Sequence, residues 1–494
     1  MRILFNALIM LSILLGFARG AEADTREYLH RIQNDPVALY SFFKAMPKGG
    51  DLHYHFAGGV YPEAMIELAA KYGYCYETGS WWIHPDKGVC HGVTSSGLLQ
   101  HAALYRQVVH AWSLQDFDEH AGETAHDHFF ETFGKFKDIY NGHYPELLID
   151  IIQRAANQHI AYLEILMIPD NALLDQLPKP VELFKEDNFE RRRTQLLADP
   201  HFQLLVTQTV QQINQDWQNT RQRLDCIKHP ETDVCRVTVR FQQYSLREQS
   251  LDKVFDQALW SFLVVQQTPM VVGVNLVQAE DGLIALRDYH SQMKVFEFLH
   301  QHYPKVSISL HAGELAFQSV DPKHLRYHIH DAIQTGHAQR IGHGVDLPFE
   351  DNALQIMHTM KSQGIAVEVN LISNAALLKV KGKQHPLNEY LKYGVPVVLS
   401  SDDEGILRTD LTSQYVEAVL HHGLDYSAIK TMNRNSLTYS FLPGKSLWAD
   451  PVAAIRVPEC TDLNSTACDT FVKTSEKAKL QRVLELDLLR FETF

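Results

Sequence analysis

The chain has 494 residues, 45% of them hydrophobic and 21% charged, which excludes a disordered or fibrous polymer and leaves room for one large domain or two to three ordinary ones. Its formal net charge of −14 argues against nucleic acid or an anionic membrane as partner, since both need clustered Lys and Arg, and favours a small uncharged or cationic ligand.

In chain order, the first predicted element is a leader over residues 1–23. Arg2 supplies the positive start, Ala7 to Phe17 is an almost unbroken apolar run, and Ala21-Glu22-Ala23 has the small-x-small form of a cleavage site. Cleavage before Asp24 implies an exported protein, periplasmic or secreted. The run is too short to span a hydrocarbon core of ~30 Å, so no stable membrane anchor is expected. Asp24–Met46 reads as a leading helical segment. Eight short β-rich runs follow: Gly50–Phe56, Ile160–Met167, Val237–Tyr244, Met270–Leu276, Val306–His311, Arg340–His343, Ala366–Asn370 and Pro396–Ser400. Helical periodicity fills Leu283–His302, Pro322–Thr335 and Asp351–Gln363 between the later runs, the alternation that makes parallel sheet. The expected fold is therefore a (β/α)₈ TIM-type barrel, one domain over residues 24–494, with additions around 61–157 and 168–236. A closing helix over Ser475–Phe494 places Leu480, Val483, Leu484, Leu488 and Leu489 on one side. Both terminal segments have a face to pack on the barrel or against a second copy of the chain, which leaves a homodimer as one expectation.

Six cysteines fall into local pairs, Cys75 with Cys90, Cys226 with Cys235 and Cys460 with Cys468, expected as disulfides of an oxidising compartment. Their gaps match no cysteine-zinc module.

Four short segments carry chemistry. His53-Tyr54-His55 puts two imidazoles on one face of a strand, a geometry that suits one metal ion. In Leu310-His311-Ala312-Gly313-Glu314, a metal-ligating imidazole and a proton-shuttling carboxylate lie side by side. His343 sits between Gly342 and Gly344, where the backbone permits close approach. In Ser400-Ser401-Asp402-Asp403, one carboxylate is placed to bind a cation and the other to face a substrate. Each alone has a bland explanation, such as a polar strand end or a turn. All four lie at the C-terminal ends of predicted strands one, five, six and eight, where barrel enzymes assemble their sites.

Taken in this order, the HxH, HAGE, GHG and SDD segments resemble those of the adenosine deaminase family. The likeness extends to Val367-Glu368-Val369-Asn370-Leu371-Ile372-Ser373-Asn374, to His385-Pro386, and to Asn435 with Ser440-Phe441. The leader, the Met46-Pro47-Lys48-Gly49 lead-in and the cysteine-bearing insertions are closest in character to the secreted adenosine-deaminase-related growth factors. The resemblance implies one zinc ion per chain held by His53, His55, His311 and Asp402. It further implies Glu314 as the group that protonates the purine ring, His343 orienting the attacking hydroxide, and Asp403 and Gln278 as contacts to a purine nucleoside. The implied reaction replaces the 6-amino group with oxygen and releases ammonia.

Three positions depart from that pattern. Ala57 stands where many members carry Asp, Gln278 replaces a glycine whose backbone approaches the purine, and Glu404 replaces a proline and is expected to add charge near the mouth. Two other functions fit the same fold: a related amidohydrolase acting on another carbon-nitrogen bond, and a secreted binding or signalling protein with weak or no turnover. The cytidine-deaminase pattern H-x-E with P-C-x-x-C is missing, which argues against a nucleic-acid editor.

Overall fold

A computed structural model of the chain describes residues 22–169, 174, 176, 177, 179 and 184–493. The leader expected over 1–23 lies, but for its last two residues, outside the described residues. Eight strands form one parallel sheet in sequential order: β1 (Lys48–His55), β2 (Ile160–Met167), β3 (Thr238–Leu246), β4 (Val271–Val277), β5 (Ser307–Ala312), β6 (Arg340–His343), β7 (Ala366–Val369) and β8 (Val397–Leu399). Each matches a run expected from composition to within about two residues at either end. Their Val- and Ile-rich stretches are buried on both faces, as a barrel wall requires.

Strands β1 and β8 meet through a single residue beyond β8. Asp402 N–H donates to the carbonyl of His53 at 3.0 Å, and the Asp402 carbonyl accepts from His55 N–H at 3.1 Å, a parallel bridge with Tyr54 that closes the ring of strands.

The leading helical segment breaks in two, over 22–32 and α1 (Pro36–Ala45). Pro36 has no N–H to extend the first helix, and the Asp35 carboxylate caps the second by accepting from Val37 and Ala38 N–H. Similarly, Pro322–Thr335 is a 3₁₀ turn (Pro322–Arg326) followed by a separate helix, His328–Gln334. Two helices of the first addition bear on the site, α2 (Ala125–Lys135) and α3 (Lys137–Gly142). Cys75–Cys90 staples a small three-stranded sheet in the same addition, Cys226–Cys235 closes the second addition, and Cys460–Cys468 ties down the C-terminal segment. The pairing is the local one. The closing helix α4 (Glu476–Glu492) buries Leu480, Leu484 and Leu488, while Val483 is 41% exposed and so departs from the expected stripe. Phe491 of α4 meets Phe42 of α1, with ring centroids 5.2 Å apart, so both terminal segments pack on their own barrel.

Inside the barrel the core is charged. Arg340 on β6 donates to Glu164 of β2 at 2.7 Å and to Glu368 of β7 at 2.5 Å, all three fully buried, and stacks on Phe441 with its guanidinium carbon 3.7 Å from the ring centroid. Tyr162 OH and the Phe441 N–H also donate to Glu164. Removing the cation from such a set leaves two buried negative charges facing each other. Arg340→Met is expected to lower folding stability by roughly 3–5 kcal/mol, read as a shift of the urea unfolding midpoint. A loss under about 1 kcal/mol would mean that the network is electrostatically idle.

Candidate metal centre and active site

The alternation of a strand puts His53 and His55 on the inner face of β1, and β5 delivers His311 beside them. His55 Nε2 lies 3.3 Å from His53 Nε2 and 3.2 Å from His311 Nε2, and Asp402 Oδ1 is 3.4 Å from His55 Nε2 and 3.8 Å from His53 Nε2. Four donors around a tetrahedral zinc ion stand about 3.4 Å apart, given metal-ligand bonds of about 2.1 Å.

The contacts on the far side of these rings suit a donor set for a cation. His53 Nδ1–H donates to Glu368 Oε2 at 2.7 Å. His311 Nδ1–H donates to Asn275 Oδ1 at 2.9 Å, and that oxygen is identified because it also accepts from Leu276 N–H. Each ring is thereby oriented from behind with its Nε2 turned toward the cluster, and the neutral His311 presents a bare Nε2 lone pair there. Burial holds His55 down to about 3, and burial together with the neighbouring imidazoles holds His311 well below its ordinary value, so neither adopts a proton to relieve the crowding. Deprotonated imidazole nitrogens gathered this closely suit a shared cation. His53 is held above its ordinary value despite its burial, because the Glu368 carboxylate accepts its proton. Glu368 in turn is lowered to about 2 against its own burial by Arg340 and His53.

The other sequence-predicted residues gather around this cluster. Glu314, Asp403, Gln278 and His343 line one cavity of 250 Å³ with His55, His311, Asp402 and Ala57. Burial and the negative charges of Asp402 and Glu280 raise Glu314 well above the usual carboxylate range, which favours its acid form. Burial and Asp402 do the same to Asp403. His343 Nε2 lies 3.7 Å from Glu314 Oε1 and 3.9 Å from Asp402 Oδ2, and burial lowers its pKa to about 4. His343, Asp402 and Gln278 all have left-handed backbones, with φ of +68°, +66° and +83°. Such conformations cost an L residue of order 1–3 kcal/mol and concentrate where a site demands them. Gln278 thus takes a backbone that a glycine would adopt without strain, and its side chain turns aside to accept from Glu248 N–H at 3.0 Å.

Glu404 is a correction. It does not charge the mouth: it is 3% exposed, bonded to Tyr54 OH and Gln158 Nε2 and ion-paired with Arg154. The mouth is walled instead by Phe129, Phe130 and Phe133 of α2 with Tyr140 of α3 and Tyr244. Sequence reasoning also gave no role to Glu280. Its carboxylate accepts from Gly313 N–H at 3.0 Å and Glu314 N–H at 2.9 Å, and so fixes the loop that carries Glu314. Its place in the Asn275–Glu280 segment was the available signal. A larger cleft lies at the opposite end of the barrel, beside Lys48, Ile160 and Thr238, and contains none of these residues.

The adenosine deaminase family model matches residues 113–449. Among curated relatives, the aminodeoxyfutalosine deaminase of Streptomyces coelicolor is 30% identical over 150 residues, 30% of this chain and 37% of that protein. The adenosine deaminase of Serratia proteamaculans is 35% identical over 136 residues, 27% of this chain and 38% of that protein. The aligned parts thus span under two fifths of either relative. The solved N6-methyl-AMP deaminase of Arabidopsis thaliana shares the fold with a TM-score of 0.53 at 16% identity, covering 90% of this chain and 98% of that one.

Because Glu368 anchors His53 from behind, Glu368→Gln is expected to weaken zinc binding about 10- to 100-fold, measured by equilibrium dialysis against a competing chelator. Unchanged affinity would show that the contact does not tune the donor set.

Proposed function

The chain belongs to the adenosine deaminase family, and on that premise we propose that it is a zinc-dependent hydrolytic deaminase. Its substrate would be adenosine, deoxyadenosine or a related 6-aminopurine, converted to the 6-oxopurine with release of ammonia. The observation that carries this reading is that His55, His311 and Asp402, members of overlapping three-residue groups that could hold a cation, line one cavity with Glu314, a glutamic acid held well above the usual carboxylate range. His53, His55, His311 and Asp402 hold one zinc ion per chain. When bound, the ion supplies the Lewis acidity that makes water nucleophilic at neutral pH.

The chain's own groups do the rest. Glu314 delivers its proton to the purine ring nitrogen beside the amino-bearing carbon, which lets that carbon become tetrahedral. His343 orients the attacking oxygen. Asp403, protonated, donates to a ring nitrogen on the other edge of the base, and the backbone of Gln278 takes the place a glycine would have against the purine. The aromatic mouth excludes bulk water, which strengthens each of these contacts. Residues 24–494 act as one deaminase unit. The three disulfides support export to an oxidising compartment.

A panel of adenine, adenosine, deoxyadenosine and N6-methylated adenosines, followed by ammonia release with zinc measured on the same sample, tests the reading; silence on all of them in a zinc-replete protein would sink it. Glu314→Gln is expected to reduce kcat by about 10²–10⁴-fold. The active form of Glu314 is the acid, so the wild-type rate falls as pH rises through its elevated pKa, and the Gln variant loses that alkaline limb. Ala57 lines the same cavity, so Ala57→Asp is expected to favour ribosides over free adenine by about 3- to 10-fold in kcat/KM, the worth of one added hydrogen bond.

A further inference from the structure

A neutral His343 carries its proton on one ring nitrogen, and a line of hydrogen bonds leading away from the site decides which. The line begins at a donor fixed by covalent structure, the backbone N–H of Leu387, which donates to His385 Nδ1 at 3.1 Å. His385 is 4% exposed, and burial holds it down to about 3. With Nδ1 accepting, its single proton is on Nε2. That Nε2–H donates to Asn374 Oδ1 at 3.1 Å and so sets the orientation of the amide. Asn374 Nδ2 then faces His343 Nδ1 at 2.9 Å. An amide nitrogen only donates, which makes His343 Nδ1 the acceptor and leaves the His343 proton on Nε2. The amide of Asn370 is 3.5 Å from Nδ1 and 3.4 Å from Nε2, and favours neither.

We propose that His385 and Asn374 are positioning residues that lock His343 as its Nε2–H tautomer, so that the imidazole meets the attacking oxygen as a hydrogen-bond donor and not as its base. The proposal rests on the deaminase reading for what His343 does, since Nε2 points between Glu314 and Asp402, but the tautomer itself is a property of the resting chain. Neither positioning residue lines the cavity. They act through His343 alone, as the aspartate of a serine-protease triad acts through its histidine.

The zinc-loaded full chain, labelled with ¹⁵N-histidine, gives the direct test through long-range ¹H–¹⁵N correlations, with His343→Gln and His385→Gln used to assign the two rings. Both rings are expected to show the Nε2–H pattern. An Nδ1–H or doubly protonated His343 would overturn the proposal. Asn374→Asp provides the kinetic arm, because a carboxylate only accepts and so draws the His343 proton to Nδ1. This variant is expected to invert the His343 pattern and to lower kcat at least about 100-fold, with KM and zinc content little changed. An inverted pattern with kcat intact would overturn the proposal equally. Should the variant fail to fold, the wild-type spectrum decides. Absence of ammonia release in the wild type together with the Nε2–H pattern would sink the deaminase reading and leave the relay standing.

Discussion

The barrel closes through the backbone of the residue that also completes the metal site. Asp402 hydrogen-bonds on one side to the carbonyl of His53 and on the other to the N–H of His55, joining the last strand to the first. With a left-handed backbone, φ +66°, the peptide makes both contacts while the carboxylate turns inward to the imidazoles. Ring closure and ligand assembly are therefore one event. The spacing of the donors is inherited from strand register and does not depend on a flexible loop finding its place. The conformational cost at Asp402, of order 1–3 kcal/mol, is offset by the bridge it forms and by whatever ion its carboxylate holds.

Around that closure, buried charge is distributed unevenly, and the unevenness separates the roles of two glutamates. Glu280 lies against Arg247 and His328, and the Arg247 guanidinium with the His328 hydrogen bond holds it at about 2 although burial works against them. Glu314, whose backbone N–H is bonded to Glu280, has Arg247 only as a minor influence and is dominated by burial and by Asp402 and Glu280 themselves. One carboxylate is thus an anchor for the loop, and the other is pushed toward its acid form. Environments that push two neighbouring carboxyl groups apart in this way are what acid chemistry at neutral pH requires. Arg340 plays the same part beneath His53: it stabilises Glu368 as an anion, which holds the histidine by its Nδ1 and turns Nε2 inward.

How much of this was legible in the sequence follows from which contacts are local. The eight strands and the HxH spacing were legible because alternation and strand-end position are written in runs of a few residues. The placement of Glu314 and His343 at the cavity was legible because each sits within a few residues of a strand end. Glu368 lay in a recognised segment, yet its partners, Arg340 and His53, are on other strands, so its role as an anchor could not be read from its neighbours. Glu404 was misjudged for the same reason: its countercharge, Arg154, comes from a helix 250 residues earlier in the chain. The helix break at Asp35-Pro36 was local and available, since a capping residue followed by proline is a start signal even inside an apolar pattern.

The two departures that face the cavity, Gln278 and Ala57, differ in what they change. At Gln278 the structure preserves the left-handed backbone and sends the side chain to Glu248, so a contact made by the peptide survives the loss of glycine at the cost of local strain. At Ala57 a side chain has been removed and no backbone contact stands in for it. The first change leaves the peptide at that edge of the cavity in place, whereas the second leaves the cavity one polar side chain short. The first addition bears on the same outer region, because α2 brings three phenylalanines to the mouth and is tied to the strand-four loop by His126 and Asp281 at 3.1 Å. Chemistry at strand ends and selectivity in an inserted wall are then physically separate, which lets the wall vary without disturbing the closure at Asp402.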